Sequence, residues 1–374
     1  MKINVNNKSL TKCLDTVVKA LPQKSILPIF NNILFSIKDG SCSIYAQNGK
    51  LQIKGVIAID TKEEVDMCIP GNIFMNTVRL LNEEELTFDY NEDKFLLQII
   101  AGKKKYKITG ENPKEYTIQD VKGKDTVDFK FPAAEFVKYI GTVSKIVNWN
   151  DMRPEISGVT MLMNKGSIDI SGTHDAMYFY RADTGIKPDK EFGIVMHKDI
   201  SIAVGMMKGT GDVDVIIGKK SMVIKIDGFE LASVLVDVKT PIVLEKYFVY
   251  DKEVFVMVNK QDLIMAVKRA SNYCGIMSSV IVDIKGDEVK ITAENSDYGV
   301  DAEEVINVEN KDTKDIKFGI NLRFLGSILS NINDEFVKIY VTAQNKPIYI
   351  KGCDNTDNNE YWGCMLIYFE EKKV

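Results

Sequence analysis

The chain is poor in the residues that most often carry chemistry. Among its 374 residues are only two histidines, His174 and His197, and two tryptophans. Two histidines with no cysteines beside them are too few for a typical zinc site. The six cysteines, at positions 13, 42, 68, 274, 353 and 364, form no close pair and no metal-ligand spacing. That pattern excludes a disulfide framework and suits reduced, buried thiols in a reducing compartment. No apolar run reaches the roughly 18 residues needed to cross a bilayer, and the start lacks a basic-then-apolar secretory pattern, so a cytoplasmic protein without a membrane partner is expected. Phosphate-binding loops, HExxH and nucleophile-elbow motifs are absent. Gly209-Thr210-Gly211 lacks the third glycine of a dinucleotide fingerprint, and Asp212-Val213-Asp214 reads as strand alternation rather than a metal site. An enzyme is therefore not expected, nor a cofactor or a metal. An excess of positive charge is also missing. With 48 Lys and Arg against 53 Asp and Glu, the net charge is −5, so any contact with nucleic acid must be local.

What is present is ordinary in amount and unusual in order. Hydrophobic residues at 45% and charged residues at 27% suit folded soluble domains, and the length suggests two or three of them. Self-similarity favours three. A helical stretch, Ser9 to Leu21, leads past Pro28 into a strand, a tight turn at Asp39-Gly40 and a second strand. The same series returns with Ala133 to Val147, Pro154 and the turn Lys165-Gly166, and Pro28 and Pro154 are as far apart as Gly40 and Gly166. A third copy has Gln261 to Ala270 and the turn Lys285-Gly286-Asp287. Glycine at such turns supplies the positive backbone angle of a tight hairpin. Each copy continues into a second helix (Asn72 to Leu81, Lys198 to Met207, Leu322 to Asn331) and then alternating strands such as Glu85-Leu86-Thr87-Phe88. The expected class is α+β, three repeated domains at 1–124, 125–247 and 248–374, each with two helices packed on antiparallel sheet.

Charge separates by element. Taken as 8–20, 72–81, 133–147, 197–208, 259–270 and 321–331, the six helical stretches hold 12 basic and 4 acidic residues, although the whole chain is acidic. On the first helix Lys8, Lys12 and Lys19 fall within about 40° of one another, opposite Leu10, Leu14 and Val17. Lys138 and Lys145 oppose Phe136, Ile140 and Val143. Lys198 with Lys208 opposes Ile200, Ala203 and Val204, and Arg323 opposes Leu325, Ile328 and Leu329. Arg79 lies beside Asn72 and Asn76. The fifth helix is less tidy, since Arg269 shares its polar side with Asp262. Six helices sharing one sign on an acidic chain point to a polyanionic partner held through its phosphates without base readout, a sequence-independent contact that tolerates movement along a duplex.

The segment Ile26-Leu27-Pro28-Ile29-Phe30-Asn31-Asn32-Ile33-Leu34 with its Asp-Gly turn resembles the matching segment of bacterial sliding clamps, the beta subunits of the replicative DNA polymerase III holoenzyme. Arg153-Pro154, Asn112-Pro113-Lys114-Glu115-Tyr116 and Asp301-Ala302-Glu303-Glu304-Val305 resemble further family segments, in family order across essentially the whole chain. The resemblance implies a processivity factor: a head-to-tail homodimer whose twelve helices ring duplex DNA, tethering DNA polymerase and clamp loader through short peptide motifs. Twelve helices about 10 Å apart give a circle about 38 Å across, roughly 28 Å clear inside. Carried over residue by residue, Lys24 and Asn150 match DNA-touching loop positions. Lys103, Lys104, Lys105 and Lys107 would face Asp301, Glu303 and Glu304 of the other subunit. A peptide groove would be lined by Ile156, Thr173, Met177, Tyr178, Pro241, Val243, Met365 and Ile367. Here the chain departs from the family, reading Thr173-His174-Asp175-Ala176-Met177-Tyr178 where Gly-His-Arg-Leu is usual and ending Glu370-Glu371-Lys372-Lys373-Val374 instead of Met-Pro-Met-Arg-Leu. Those departures suit a phage- or plasmid-type version, and they leave a second reading, a clamp-like decoy or scaffold that binds replication proteins without encircling DNA.

Overall fold

The computed structural model describes residues 1–22, 27–119, 125–175, 177–276, 278–343, 346–353 and 359–367. One series of elements occurs three times. The first runs β1 (Lys2–Asn6), α1 (Asn7–Val17), β2 (Asn32–Lys38), β3 (Ser41–Gln47), β4 (Leu51–Ala58), β5 (Val65–Pro70), α2 (Gly71–Arg79), β6 (Glu85–Asn91), β7 (Leu96–Ala101) and β8 (Lys104–Thr109). The second runs β9 (Val127–Pro132), α3 (Ala133–Ile146), β10 (Val159–Asn164), β11 (Ser167–His174), β12 (Tyr178–Asp183), β13 (Gly193–Met196), α4 (Lys198–Gly205), β14 (Asp212–Ile217), β15 (Ser221–Ile226) and β16 (Phe229–Val234). The third comprises β17 (Phe255–Asn259), α5 (Lys260–Ser271), β18 (Ser279–Lys285), β19 (Glu288–Asn295), β20 (Val300–Asn307), the added short β21 (Glu309–Lys311), β22 (Ile316–Asn321), α6 (Leu322–Asn331), β23 (Phe336–Val341), β24 (Ile348–Gly352) and β25 (Glu360–Cys364). Among the described residues no helix is long and apolar enough to cross a membrane.

Local chemistry sets these elements. The expected hairpin turns form, with Asp39 and Gly40 at φ 49° and 71° and Lys165 and Gly166 at 50° and 86°. Strands pass straight into helices through a side-chain cap: Asn6, Asn259 and Asn321 each accept a backbone N–H from the first turn of α1, α5 and α6. The helix expected at Ser9 to Leu21 is α1 followed by a 3-10 turn at Val18–Ala20. The helix expected to reach Met207 stops at Gly205, because the Asp227 carboxylate accepts the backbone N–H groups of Lys208, Gly209 and Thr210 and turns the chain away.

Each repetition builds two four-stranded antiparallel half-sheets, one from its first and last three strands and one from the hairpin strands between. Neighbouring repetitions then share sheets edge to edge. β4 pairs with β16 to make the eight-stranded sheet β5-β2-β3-β4-β16-β15-β14-β9, and β12 pairs with β25 in the nine-stranded sheet β13-β10-β11-β12-β25-β24-β23-β17-β21. Two half-sheets stay separate, β1-β6-β7-β8 and β20-β19-β18-β22. The chain accordingly divides into two compact units. One is Met1–Gly141, Pro188–Glu191 and Met196–Asp237; the other is Thr142–Lys187, Phe192–Val195 and Val238–Val374. The division runs through the second repetition because each of its half-sheets is fused to a different neighbour.

Helices cover the sheets of both units. In the first, Phe74 of α2 lies edge-on between Phe35 and Phe88, with ring centroids 5.0 and 5.8 Å away. Full burial of such a side chain stabilises by about 1.5–3 kcal/mol. Gly55 lets α1 approach β4, since a Cβ there would lie 2.4 Å from the Cys13 sulfur. In the second unit, Phe179, Leu244, Phe255, Tyr340 and Tyr349 form one cluster, with Ile242 and Met365 packed on it.

Candidate nucleic-acid and partner interfaces

Three groups of residues carry the expected chemistry: exposed bases on helices, unpaired sheet edges, and the apolar surface beside β12. On α1, Leu10, Cys13, Leu14 and Val17 are buried and Lys8 and Lys12 are exposed, with Lys19 exposed on the following turn. Lys145, Lys198, Lys208 and Arg323 are also exposed, and none of these makes an ion pair among the described residues. Lys138 is exposed with its ammonium 5.6 Å from the Tyr139 ring centroid. Asn150 is exposed, its N–H donating to the Asn148 side chain. Lys24 lies outside the described residues. Two of these residues have partners of their own. Arg79 is exposed and forms a forked contact with Asp15 of α1 at 3.0 and 2.5 Å. Lys208 lies beyond the end of α4, held by its backbone bond to Asp227 at 2.8 Å. The untidiness of α5 has a structural cause: Arg269 is paired with Glu304 at 2.8 and 2.7 Å, and Lys260 donates to the Ile332 carbonyl at 2.7 Å. The Arg269 contact holds the Glu304 carboxyl below the usual range.

The two junctions inside the chain are made in one register. Lys54, Arg181 and Glu303 occupy equivalent places on β4, β12 and β20, since each pairs with the fifth residue after the hairpin turn of its repetition, namely Tyr45, Ser171 and Thr292. Following the ladders across the other half-sheets from Asn4, Lys130 and Met257, each two residues before the strand end, leads to Lys105, Glu230 and Tyr361. Lys54 lies opposite Glu230, and Arg181 lies opposite Tyr361. The edges β8 and β20 stay open, and their corresponding residues are Lys105 and Glu303. Beside each junction the first residue of the hairpin-side strand and the third residue of the neighbouring helix are covered. Leu51 and Ile200 are both buried, and Tyr178 stacks on Phe324 with centroids 5.4 Å apart. Their counterparts Val300 and Ile73 are 37% and 61% exposed. Of the interface lysines, Lys103, Lys105 and Lys107 are exposed, as is Asp301. Lys104 is tied to Glu83 at 2.9 Å and Glu303 to Lys290 at 2.6 Å, so with Glu304 they have partners inside the chain.

The apolar groove is narrower than expected. Thr173 is buried and donates its hydroxyl to the Tyr178 carbonyl at 2.9 Å. Tyr178 is buried too, bonded to the Ser327 hydroxyl at 3.2 Å and stacked between Phe324 and Trp362, and burial pushes its phenol far up. Ile156 is also buried. These three are foundation rather than lining: Thr173 on β11 is bonded to Tyr178 on β12, and the Tyr178 ring is packed between Phe324 and Trp362. Met177, Pro241, Val243, Met365 and Ile367 remain partly accessible. The Met365 N–H donates to the Met177 carbonyl at 2.7 Å, and that of Ile367 to Gly319 at 2.8 Å. His174, beside the groove, has Nδ1 3.0 Å from the Ile146 carbonyl and its ring against Phe324. Sequence reasoning missed Phe324, Ser327 and Trp362, which looked like ordinary helix and strand residues.

A thrice-repeated unit of two helices and two half-sheets, joined edge to edge and carrying basic helix faces, is the architecture of the clamp class. A model of the DNA polymerase III beta subunit N-terminal domain matches residues 1–120 and one of its C-terminal domain matches 248–362, together well over half of the chain. The chain belongs to this family, the bacterial beta sliding clamps, and has the role of a polymerase processivity factor. The Beta sliding clamp of Buchnera aphidicola is 22% identical over 94% of this chain and 96% of its own length. Among solved structures, the DNA polymerase III subunit beta of Pseudomonas aeruginosa superposes with a TM-score of 0.91 at 18% identity, over 99% of this chain and all of that one. Another sliding clamp structure from that organism, bound to griselimycin, gives 0.89 at 18% over the same shares.

Proposed function

We propose that two copies of this chain close head to tail around duplex DNA, each contributing domains 1–124, 125–247 and 248–374, and that the groove beside β12 tethers polymerase and clamp loader by short peptides. One observation carries the closure: two junctions of identical register inside the chain, with a third left unmade. Continuing that register sets Lys105 opposite Glu303 and Lys107 opposite Asp301 across two copies, opposite charges that fix alignment. It also covers Ile73 and Val300, apolar side chains otherwise left in water. An open sheet edge is a template for strand addition, and the pairing of β8 with β20 removes both. Lys290 and Arg269 already hold Glu303 and Glu304, so the new pairs add to existing ones.

Inside the ring, Lys8, Lys12, Lys19, Lys138, Lys145, Lys198, Lys208 and Arg323 attract phosphates without reading bases, and sliding costs little because every position along the duplex presents the same charge. Topology supplies residence time. The test is retention on nicked circular DNA, with release on linearisation. Lys12→Glu with Lys138→Glu should load poorly yet melt within about 2 °C of the parent, since exposed substitutions change stability little. Equal retention on circular and linear DNA would refute encirclement.

A further inference from the structure

We propose that Glu245 is a positioning residue for the peptide groove, latching the segment Pro241–Val243 onto the β10–β11 hairpin so that this wall stands in place before a peptide arrives. The inference rests on the groove reading above. Glu245 lies on a 3-10 turn, Leu244–Tyr247, two residues past Val243. Its carboxylate accepts from Lys165 Nζ at 2.6 Å and from Asn164 Nδ2 at 3.1 Å. The anchor behind those donors is rigid. Asn164 Nδ2 also donates to Asp169 at 2.7 Å, and Asp169 is gripped by both arms of Arg181 at 2.9 Å, with Asp169 and Arg181 buried. The Arg181 guanidinium lies over the Tyr361 ring at 5.1 Å, on the strand that leads to Met365. One polar network thus reaches from the linker wall of the groove to the strand that supplies the opposite wall. The Asp169–Arg181 bonds are buried, whereas the Lys165–Glu245 pair is solvent-accessible; charge-assisted bonds on such an anchor hold geometry, and a site ordered in advance loses less freedom on binding. Leu244 is buried in its own apolar cluster, so a substitution at 245 is expected to loosen the wall without removing its hydrophobic anchor.

The experiment uses the full chain, griselimycin as probe, and backbone amide exchange. Glu245→Gln should raise exchange of the amides in 242–248 up to about fivefold and weaken griselimycin up to about fivefold, the order of one lost solvent-accessible ion pair. Exchange in β10 and β11 should stay unchanged. The paired substitution Glu245→Lys with Lys165→Glu should restore both readouts, which a merely structural role would not require. Unchanged exchange in Glu245→Gln overturns the latch, as does griselimycin binding of parental strength despite raised exchange. If the parent chain does not bind griselimycin, the groove reading fails, and the exchange measurement still decides the latch.

Discussion

Lys105→Glu should break the ring, and the structure says by how much and how to mend it. The residue lies on the open edge β8 at the place held by Glu230 and Tyr361 in the two junctions within the chain, and the proposed closure sets Glu303 opposite it in the same register. Exposed cross-strand ion pairs are worth about 0.2–1 kcal/mol each, and like charges cost a similar amount. Reversal therefore costs about 1 kcal/mol per junction. A head-to-tail dimer has two junctions, so the dimer loses about 2 kcal/mol, roughly thirtyfold in its dissociation constant. Glu303→Lys should do the same, somewhat more severely, because Lys290 lies 2.6 Å from the native carboxylate. The decisive assay mixes the two single variants and follows assembly by sedimentation equilibrium or native mass spectrometry. In the mixed dimer one junction carries the reversed pair and the other the native pair, so assembly should return to near parental strength. Single variants that dimerise like the parent, or a mixture no tighter than either alone, would refute the transferred register.

Asp15→Asn should free Arg79 from its forked contact and strengthen DNA binding, with the salt slope steepening by about one phosphate contact, read by anisotropy from low to moderate salt. An unchanged slope would mean that Arg79 does not face DNA. Asp227 links acid stability to Lys208. Burial acts to raise its carboxyl, but bonds from the Thr210 hydroxyl and the N–H groups of Thr210, Gly209 and Lys208 outweigh it and hold the folded pKa below the ordinary value. A lowered folded pKa gives stability that is present above about pH 4 and lost as pH falls through the folded value. Asp227→Asn should therefore melt lower than the parent at pH 6, with the gap closing as the pH falls through and below the ordinary carboxylate range. A gap that stays constant across that range would contradict the assignment.

The sequence by itself determined the threefold repeat, the tight turns and the outward faces of the basic helices. These are local matters: Asp-Gly and Lys-Gly turns set their own backbone angles, and a 3.6-residue period separates Lys12 from Leu14 whatever surrounds the helix. Tertiary structure decided which charges are spent. Arg79 meets Asp15, and Arg269 meets Glu304, only because the fold brings residues 64 and 35 positions apart into contact. It also decided that Tyr178 lies beneath the groove rather than in it, since its ring is packed between Phe324 and Trp362, residues far along the chain. The equal registers of the two junctions, from which the third follows, were likewise invisible in the sequence, because strand pairing is a relation between distant edges and no single segment encodes it.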